Sequence, residues 1–242
     1  MKLVLLPGMD GTGLLFEPLV KYFQNGTAQE HAGQDHSLAI QVLPLPTDGA
    51  QDYRTLAANV VAQLPTEDFV LVAESFSGGI AACLSQQPVP HLKGIIFVAS
   101  FLSGPKKLIA LLASFLPIRH LTMLPFSGAV YRLLMLGKNA TPAQMTLFQA
   151  ALNTVPANVL KARLRVIAKA KYDGFTSNVP AVYIAATNDR LVPAIKKQQF
   201  EQAYSNITFA EINGPHFILQ ANPKDGSAAI VKATNLILSK RC

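Results

Sequence analysis

The chain has 242 residues, of which half are hydrophobic and 14% are charged. This is enough for one large α/β domain with a sizeable core. No apolar run approaches the roughly 20 residues of a membrane span, and the two cysteines, Cys83 and Cys242, exclude a disulfide framework or a cysteine-based metal motif.

The N-terminal residues 1–7 have the apolar character of a signal peptide, but the run is too short and Pro7-Gly8 follows it without a small-residue cleavage site. We therefore interpret residues 2–6 as a first buried strand and expect a cytoplasmic protein.

Six short apolar runs predict β-strands, at residues 2–6, 38–43, 69–73, 94–99, 181–186 and 207–212. Continuous apolarity over about five residues is typical of strands buried on both faces, as in a parallel sheet. Helical patterns lie between them, at residues 52–64, 77–86, 193–203 and 223–239. This alternation predicts a doubly wound α/β fold whose mostly parallel sheet has about six strands.

Residues 101–172, the basic segment, interrupt this alternation. They contain no strand pattern and several helical stretches separated by prolines. We expect a helical cap insertion in an α/β core made of residues 1–100 and 173–242. The segment has ten Lys or Arg and no Asp or Glu. Two interpretations of its charge, which includes the cluster Lys161, Arg163 and Arg165, stay open: solubility alone, or a surface for an anionic partner, namely an acyl carrier protein, CoA or a lipid surface. Nothing else in the chain indicates specific nucleic-acid binding.

Ser75 stands where the third predicted strand turns into a helix of small residues. The apolar run 69–72 precedes it, and Ala73 and Ser77 lie two residues to either side. A sharp turn of this kind lifts the central side chain toward a ligand, as in the nucleophile elbow G-x-S-x-G. Ser77 also fits the pattern, with Gly79 two residues later. Strand register favours Ser75, because it follows the apolar run more closely.

A serine nucleophile needs a base within hydrogen-bond reach and a group that orients the base. His216 follows the last predicted strand, in a Gly-Pro turn that can bring its imidazole over the sheet edge. Asp189 follows the fifth strand and can orient His216, although it could also cap a turn. The other histidines fit the role less well; they are His31, His36, His91 and His120.

Three glycines in residues 7–13, after the first strand, let the backbone approach a ligand closely. We expect the backbone N–H groups of Met9 and Phe76 to form an oxyanion hole. The loop lacks the third glycine of a dinucleotide fingerprint and the Lys-Ser/Thr of a P-loop. We therefore expect no bound nucleotide. A serine–histidine–aspartate mechanism needs no metal and no organic cofactor, so we expect none.

Four segments in this order resemble the α/β-hydrolase superfamily, and the resemblance extends over essentially the whole chain. They are residues 7–13, 73–79, 188–193 and 214–216. The resemblance implies a Ser75–Asp189–His216 triad and a cap in the usual position. Pro7 departs from the His that is common before the oxyanion glycine, and the elbow lacks its two flanking glycines. The glycine loop is also similar to that of plant esterase/lipase/thioesterase proteins that make phytyl esters.

These observations predict a serine hydrolase that cleaves a carboxylic ester or thioester through an acyl-enzyme. The apolar side chains of the basic segment indicate an aliphatic acyl group; they include Phe115, Met123, Phe126, Met135, Met145 and Phe148. The alternatives are an acyltransferase that uses the same triad and a noncatalytic binding protein on this fold.

Overall fold

The computed structural model describes residues 1–24, 38–105 and 135–240. Its centre is one sheet of six parallel strands in the order β2-β1-β3-β4-β5-β6. The strands are β1 (Lys2–Leu6), β2 (Ala39–Val42), β3 (Phe69–Glu74), β4 (Leu92–Val98), β5 (Ala181–Ala186) and β6 (Ile207–Ile212). The predicted α/β fold with about six strands is confirmed, with every strand pair parallel.

Helices flank the sheet. They are α1 (Glu17–Gln24), α2 (Tyr53–Val61), α3 (Ser77–Leu84), α4 (Pro142–Thr154), α5 (Ala157–Lys169), α6 (Lys197–Ala203), α7 (Ile218–Ala221) and α8 (Pro223–Ser239). Helix α1 was not predicted: its buried stripe consists of only Leu19 and Phe23, one turn apart. Among the helices that the structure describes, none has both the length and the apolar character needed to cross a bilayer.

The sheet is buried on both faces, which explains its continuous apolar runs. In β3, Val70 and Val72 face one side, where they share a core with Ile230 of α8. Leu71 faces the other side, where it shares a core with Leu56 of α2. Because successive side chains of a strand point to opposite faces, both alternating sets of β3 must be apolar.

Only part of the basic segment is described, and its bounds as a cap stay a prediction. Residues 106–134 lie outside the described ranges, and with them the predicted positions Phe115, Met123 and Phe126. Met135, Met145 and Phe148 are buried in the core. The polar stretch 25–37, with His31 and His36, and the residues His120 and Cys242 also lie outside the described ranges.

The structure corrects one expectation about the basic cluster. Lys161 and Arg165 are exposed on α5, but Arg163 is fully buried between them. The i, i+2 spacing puts Arg163 on the opposite side of the helix from its neighbours, among groups of the core. Arg163 is therefore not part of a basic surface.

Candidate active site

Ser75 lies at the turn between β3 and α3. Its φ of 49° is in the left-handed region, which a non-glycine residue adopts only under local constraint. The Ser75 N–H donates to Val98 O over 2.9 Å, and its carbonyl accepts from Gly78 N–H over 3.0 Å. A Cβ at Gly78 would lie 2.7 Å from the Ser100 side chain. The small residues after Ser75 therefore allow the tight packing that holds the turn in place.

Three side chains form a chain of hydrogen bonds at this turn. Ser75 Oγ lies 2.9 Å from His216 Nε2, and His216 Nδ1 lies 2.8 Å from Asp189 Oδ2. The Ser75 residue is 7% exposed and His216 is 2% exposed. An ionised carboxylate only accepts, so Asp189 selects the tautomer with the proton on Nδ1. His216 Nε2 is then free to accept the proton of Ser75.

Parallel strands explain why residues 141 positions apart in sequence meet here. Ser75, Asp189 and His216 each follow the carboxyl end of a strand, namely β3, β5 and β6. In a parallel sheet these ends lie at the same edge, where ligands bind in open α/β folds. The other oxygen of Asp189 accepts from Leu191 N–H and Val192 N–H, at 2.8 and 2.9 Å. Asp189 thus orients both its own turn and the imidazole.

Within this buried pair, Asp189 and His216 each stabilise the charge on the other. Burial opposes charge on His216, but the charge and hydrogen bond of Asp189, with a contribution from Glu74, raise its pKa above the ordinary value. Burial opposes charge on Asp189 as well. His216 and the two backbone N–H donors outweigh burial there and lower the pKa of the carboxyl.

Ser77, the alternative nucleophile, has a different partner. Its hydroxyl donates to Pro7 O, and the residue is fully buried. The structure therefore places Ser75, and not Ser77, against His216. Ser77 instead joins the start of α3 to the glycine loop. His91, the other described histidine, lies 3.5 Å from Asp68, half-exposed before β4.

The glycine loop brings Met9 next to Ser75, and both line one pocket. Neither Met9 N–H nor Phe76 N–H has a backbone or side-chain acceptor in the part of the chain that the structure describes. Two unpaired N–H donors beside a serine hydroxyl can stabilise an oxyanion. The rest of the pocket wall is mostly apolar; it consists of Asp10, Met135, Phe148, Leu152, Ile167, His216 and Phe217.

A model of the alpha/beta hydrolase family matches residues 3–230. The chain belongs to this family. No curated protein sequence is similar enough to count as a match.

Solved structures share the fold of this alpha/beta hydrolase at low sequence identity. A lipase-esterase related protein from Clostridium acetobutylicum has a TM-score of 0.73 at 15% identity, and the match covers 96% of this chain and 93% of that one. The esterase EaEST from Exiguobacterium antarcticum has a TM-score of 0.75 at 15% identity, and the match covers 97% of this chain and 92% of that one. The RedJ thioesterase from prodiginine biosynthesis in Streptomyces coelicolor has a TM-score of 0.66 at 18% identity, and the match covers 96% of this chain and 85% of that one.

Two buried polar residues of the hydrolase core were not predicted. Glu74, directly before Ser75, accepts from Gln220 Nε2 through both carboxylate oxygens, at 3.1 and 3.2 Å. Burial is the main cause that raises the pKa of Glu74 to about 7. Glu74 fills the variable position of the elbow pattern and Gln220 lies in a short helix, so neither belongs to a motif. In the described ranges, no group of three His, Cys, Asp or Glu side chains could hold a metal ion.

Proposed function

We propose that this protein is a serine hydrolase that cleaves carboxylic esters or thioesters through an acyl-enzyme on Ser75. The observation that carries the proposal is the buried chain Ser75–His216–Asp189, with hydrogen bonds of 2.9 and 2.8 Å. A serine hydroxyl is a weak nucleophile at neutral pH, and an adjacent, oriented imidazole is what activates it.

The reaction follows from these positions. Ser75 Oγ attacks the acyl carbonyl while His216 Nε2 takes its proton, and the N–H groups of Met9 and Phe76 bind the developing oxyanion. When the tetrahedral intermediate collapses, the bond to the leaving group breaks and protonated His216 gives its proton to the leaving alcohol or thiol. Asp189 stabilises the imidazolium throughout. Water then attacks the acyl-enzyme by the same steps and releases the acid.

The pocket wall supports an aliphatic acyl group. Its side chains Met135, Phe148 and Ile167 offer apolar surface directly beside Ser75. Burying an apolar chain against such side chains stabilises the complex by about 0.8 kcal/mol per methylene. Catalytic efficiency should therefore rise with acyl length until the pocket is filled.

We further propose that the exposed cations of α5 attract an anionic carrier of the acyl group. Lys161, Arg165 and Lys169 are exposed on the outer side of this helix, and Ile167 on its opposite side lines the pocket. An acyl carrier protein, CoA or a lipid surface carries negative charge that these cations would attract from outside the helix. Arg163 makes no contact with such a partner, because its guanidinium is buried.

The test is hydrolysis of a series of p-nitrophenyl esters and acyl thioesters from two to twelve carbons, by wild type, Ser75→Ala and the control Ser205→Ala. Ser205 is an exposed serine that lies just before the amino end of β6, at the sheet edge opposite to the site. We expect Ser75→Ala to abolish turnover and Ser205→Ala to keep it. Turnover by folded Ser75→Ala at the wild-type rate would overturn the proposal. Added alcohol, with the ester product measured, separates hydrolysis from acyl transfer.

A further inference from the structure

We propose that Arg163 is a positioning residue that holds the glycine loop so that Met9 N–H points at the oxyanion. The inference rests on the proposed function, since it assigns Arg163 a role in the same reaction. It makes helix α5, in the predicted cap, a part of the catalytic apparatus and not only a cover over the pocket.

The hydrogen bonds of the Arg163 guanidinium that the structure describes all go to acceptors of the α/β core. Nη1 donates to Met9 O over 3.0 Å and to Asp10 O over 2.7 Å, and Nη2 donates to Pro46 O over 2.9 Å. Nε donates to Gln51 Oε1, also over 2.9 Å. Three of the four acceptors are backbone carbonyls, and two of these belong to the glycine loop.

This is an unusual place for an arginine. Arg163 is 0% exposed, and in the described ranges no carboxylate forms an ion pair with it. Removing a cation from water is expensive unless other groups replace its hydration. Here the carbonyl oxygens do so, together with the negative charge of Asp10, which opposes the effect of burial on the pKa of Arg163. The planar fork of the guanidinium fixes the relative positions of the carbonyls. A simple packing role would be filled by an apolar side chain at lower cost.

The glycine loop is built around this guanidinium. At Gly11, φ is +71°, and a Cβ there would lie 2.1 Å from Arg163 Nη1. Glycine therefore meets two requirements at this position: a left-handed backbone and space for the arginine. Gly11 N–H also closes the turn onto Gly8 O, over 3.0 Å.

Two anchors flank the proposed oxyanion donor. On one side, Ser77 at the start of α3 donates to Pro7 O. On the other side, Arg163 of α5 holds Met9 O and Asp10 O. Since each residue has only two soft backbone dihedrals, fixing the carbonyls at 7, 9 and 10 leaves the Met9 N–H little freedom to turn. Preorganised donors of this kind are what an oxyanion site requires.

The same face of α5 reaches the acyl pocket. Ile167 lies one helical turn after Arg163, on the same side of the helix, and lines the pocket beside Ser75. One face of α5 thus holds the glycine loop at one turn and lines the pocket beside Ser75 at the next turn.

The test compares Arg163→Met with Arg54→Met, the same change at an exposed arginine of α2. With a short neutral p-nitrophenyl ester, we expect Arg163→Met to lower kcat about 10²-fold, the effect of losing one oxyanion donor, while KM changes less than threefold. Arg54→Met should match wild type. Guanidinium chloride at millimolar concentration should restore part of kcat in Arg163→Ala, whereas sodium chloride should not.

Arg163→Lys keeps the cation and the aliphatic stem, and it serves if Arg163→Met does not fold. Lysine cannot present a planar fork, so we expect a lower kcat here too, with KM unchanged. Near-wild-type kcat in either folded variant, or a rise in KM alone, would overturn the inference.

A measurement without substrate separates this inference from the proposed function. Hydrogen exchange of residues 8–14 should accelerate in Arg163→Lys and not in Arg165→Lys, and equal exchange would overturn the inference. If wild type shows no Ser75-dependent turnover but the exchange difference is present, the proposed function fails while the loop-holding role stands.

Discussion

Replacing Glu74 by Gln tests the electrostatics directly behind the nucleophile. The carboxylate of Glu74 is fully buried, and its described hydrogen-bond partner is the side-chain amide of Gln220. Gln220 Oε1 is buried without a hydrogen-bond partner in the described structure. A glutamine at 74 has nearly the same shape and carries no charge, and its side-chain oxygen can still accept from Gln220 Nε2. The change removes the charge and leaves the packing in place.

The size of the effect follows from the raised pKa. The pKa of Glu74 is about 7 in the folded protein, against an ordinary value of 4.5. Each pKa unit corresponds to 1.36 kcal/mol, so ionising Glu74 in the folded protein lowers the free energy of unfolding by about 3 kcal/mol. The pKa of Glu74 is higher in the folded than in the unfolded protein. The stabilisation by protonated Glu74 is therefore fully present below pH 4.5 and is lost as the pH rises through about 7. Glu74→Gln removes that loss.

The assay is urea unfolding of wild type, Glu74→Gln and the control Glu201→Gln from pH 4 to pH 9. Glu201 is exposed on α6. The free energy of unfolding of Glu74→Gln, minus that of wild type, should grow by about 3 kcal/mol between pH 4.5 and pH 8. The same difference for Glu201→Gln should stay flat. A difference for Glu74→Gln that does not change with pH would refute the reasoning.

Three further predictions concern catalysis. In Asp189→Asn, the amide oxygen can still accept from the turn, but the NH₂ group faces His216 and selects the wrong tautomer. We expect kcat to fall about 10⁴-fold with the fold retained. A loss under tenfold would contradict the role of Asp189. Ser77→Ala removes one hydrogen bond to the glycine loop; kcat should fall by no more than about tenfold, and complete inactivity would implicate Ser77 in the chemistry. The double variant Lys161→Glu, Arg165→Glu should have a lower kcat/KM than wild type for an acyl-CoA at low salt. This difference from wild type should vanish near 1 M salt, where the screening length is about 3 Å. The kcat/KM for a neutral ester should be unaffected. Equal responses of the two substrates would refute the proposed anionic partner.

The sheet could be predicted closely because its strands are buried on both faces. Three predicted strands, at residues 2–6, 181–186 and 207–212, coincide with β1, β5 and β6. A parallel, doubly covered strand produces an uninterrupted apolar run, and polar turn residues bound it on each side. Helix α1 was missed for the opposite reason, since only two of its residues are buried and its period is hard to detect.

The residues that meet at the site were predictable because each follows the end of a recognisable strand. Topology then brings Ser75, Asp189 and His216 to one edge of the sheet. Arg163 could not be found in this way. Its role depends on which side of α5 faces the core, and three basic residues at alternate positions give no sign that one of them is buried. The glycine at position 11 was read as a sign of close ligand approach, but the nearest group is the Arg163 guanidinium.

The most direct test of the central claim is covalent labelling of the purified protein with a fluorophosphonate, followed by intact mass and peptide sequencing by mass spectrometry. The reagent reacts with a serine that is activated by a neighbouring base. We predict one adduct per chain, located on Ser75, that also forms in Ser77→Ala and is lost in Ser75→Ala and in His216→Ala. An unlabelled wild-type protein, or an adduct on any other residue, would contradict the claim that Ser75 is an activated nucleophile.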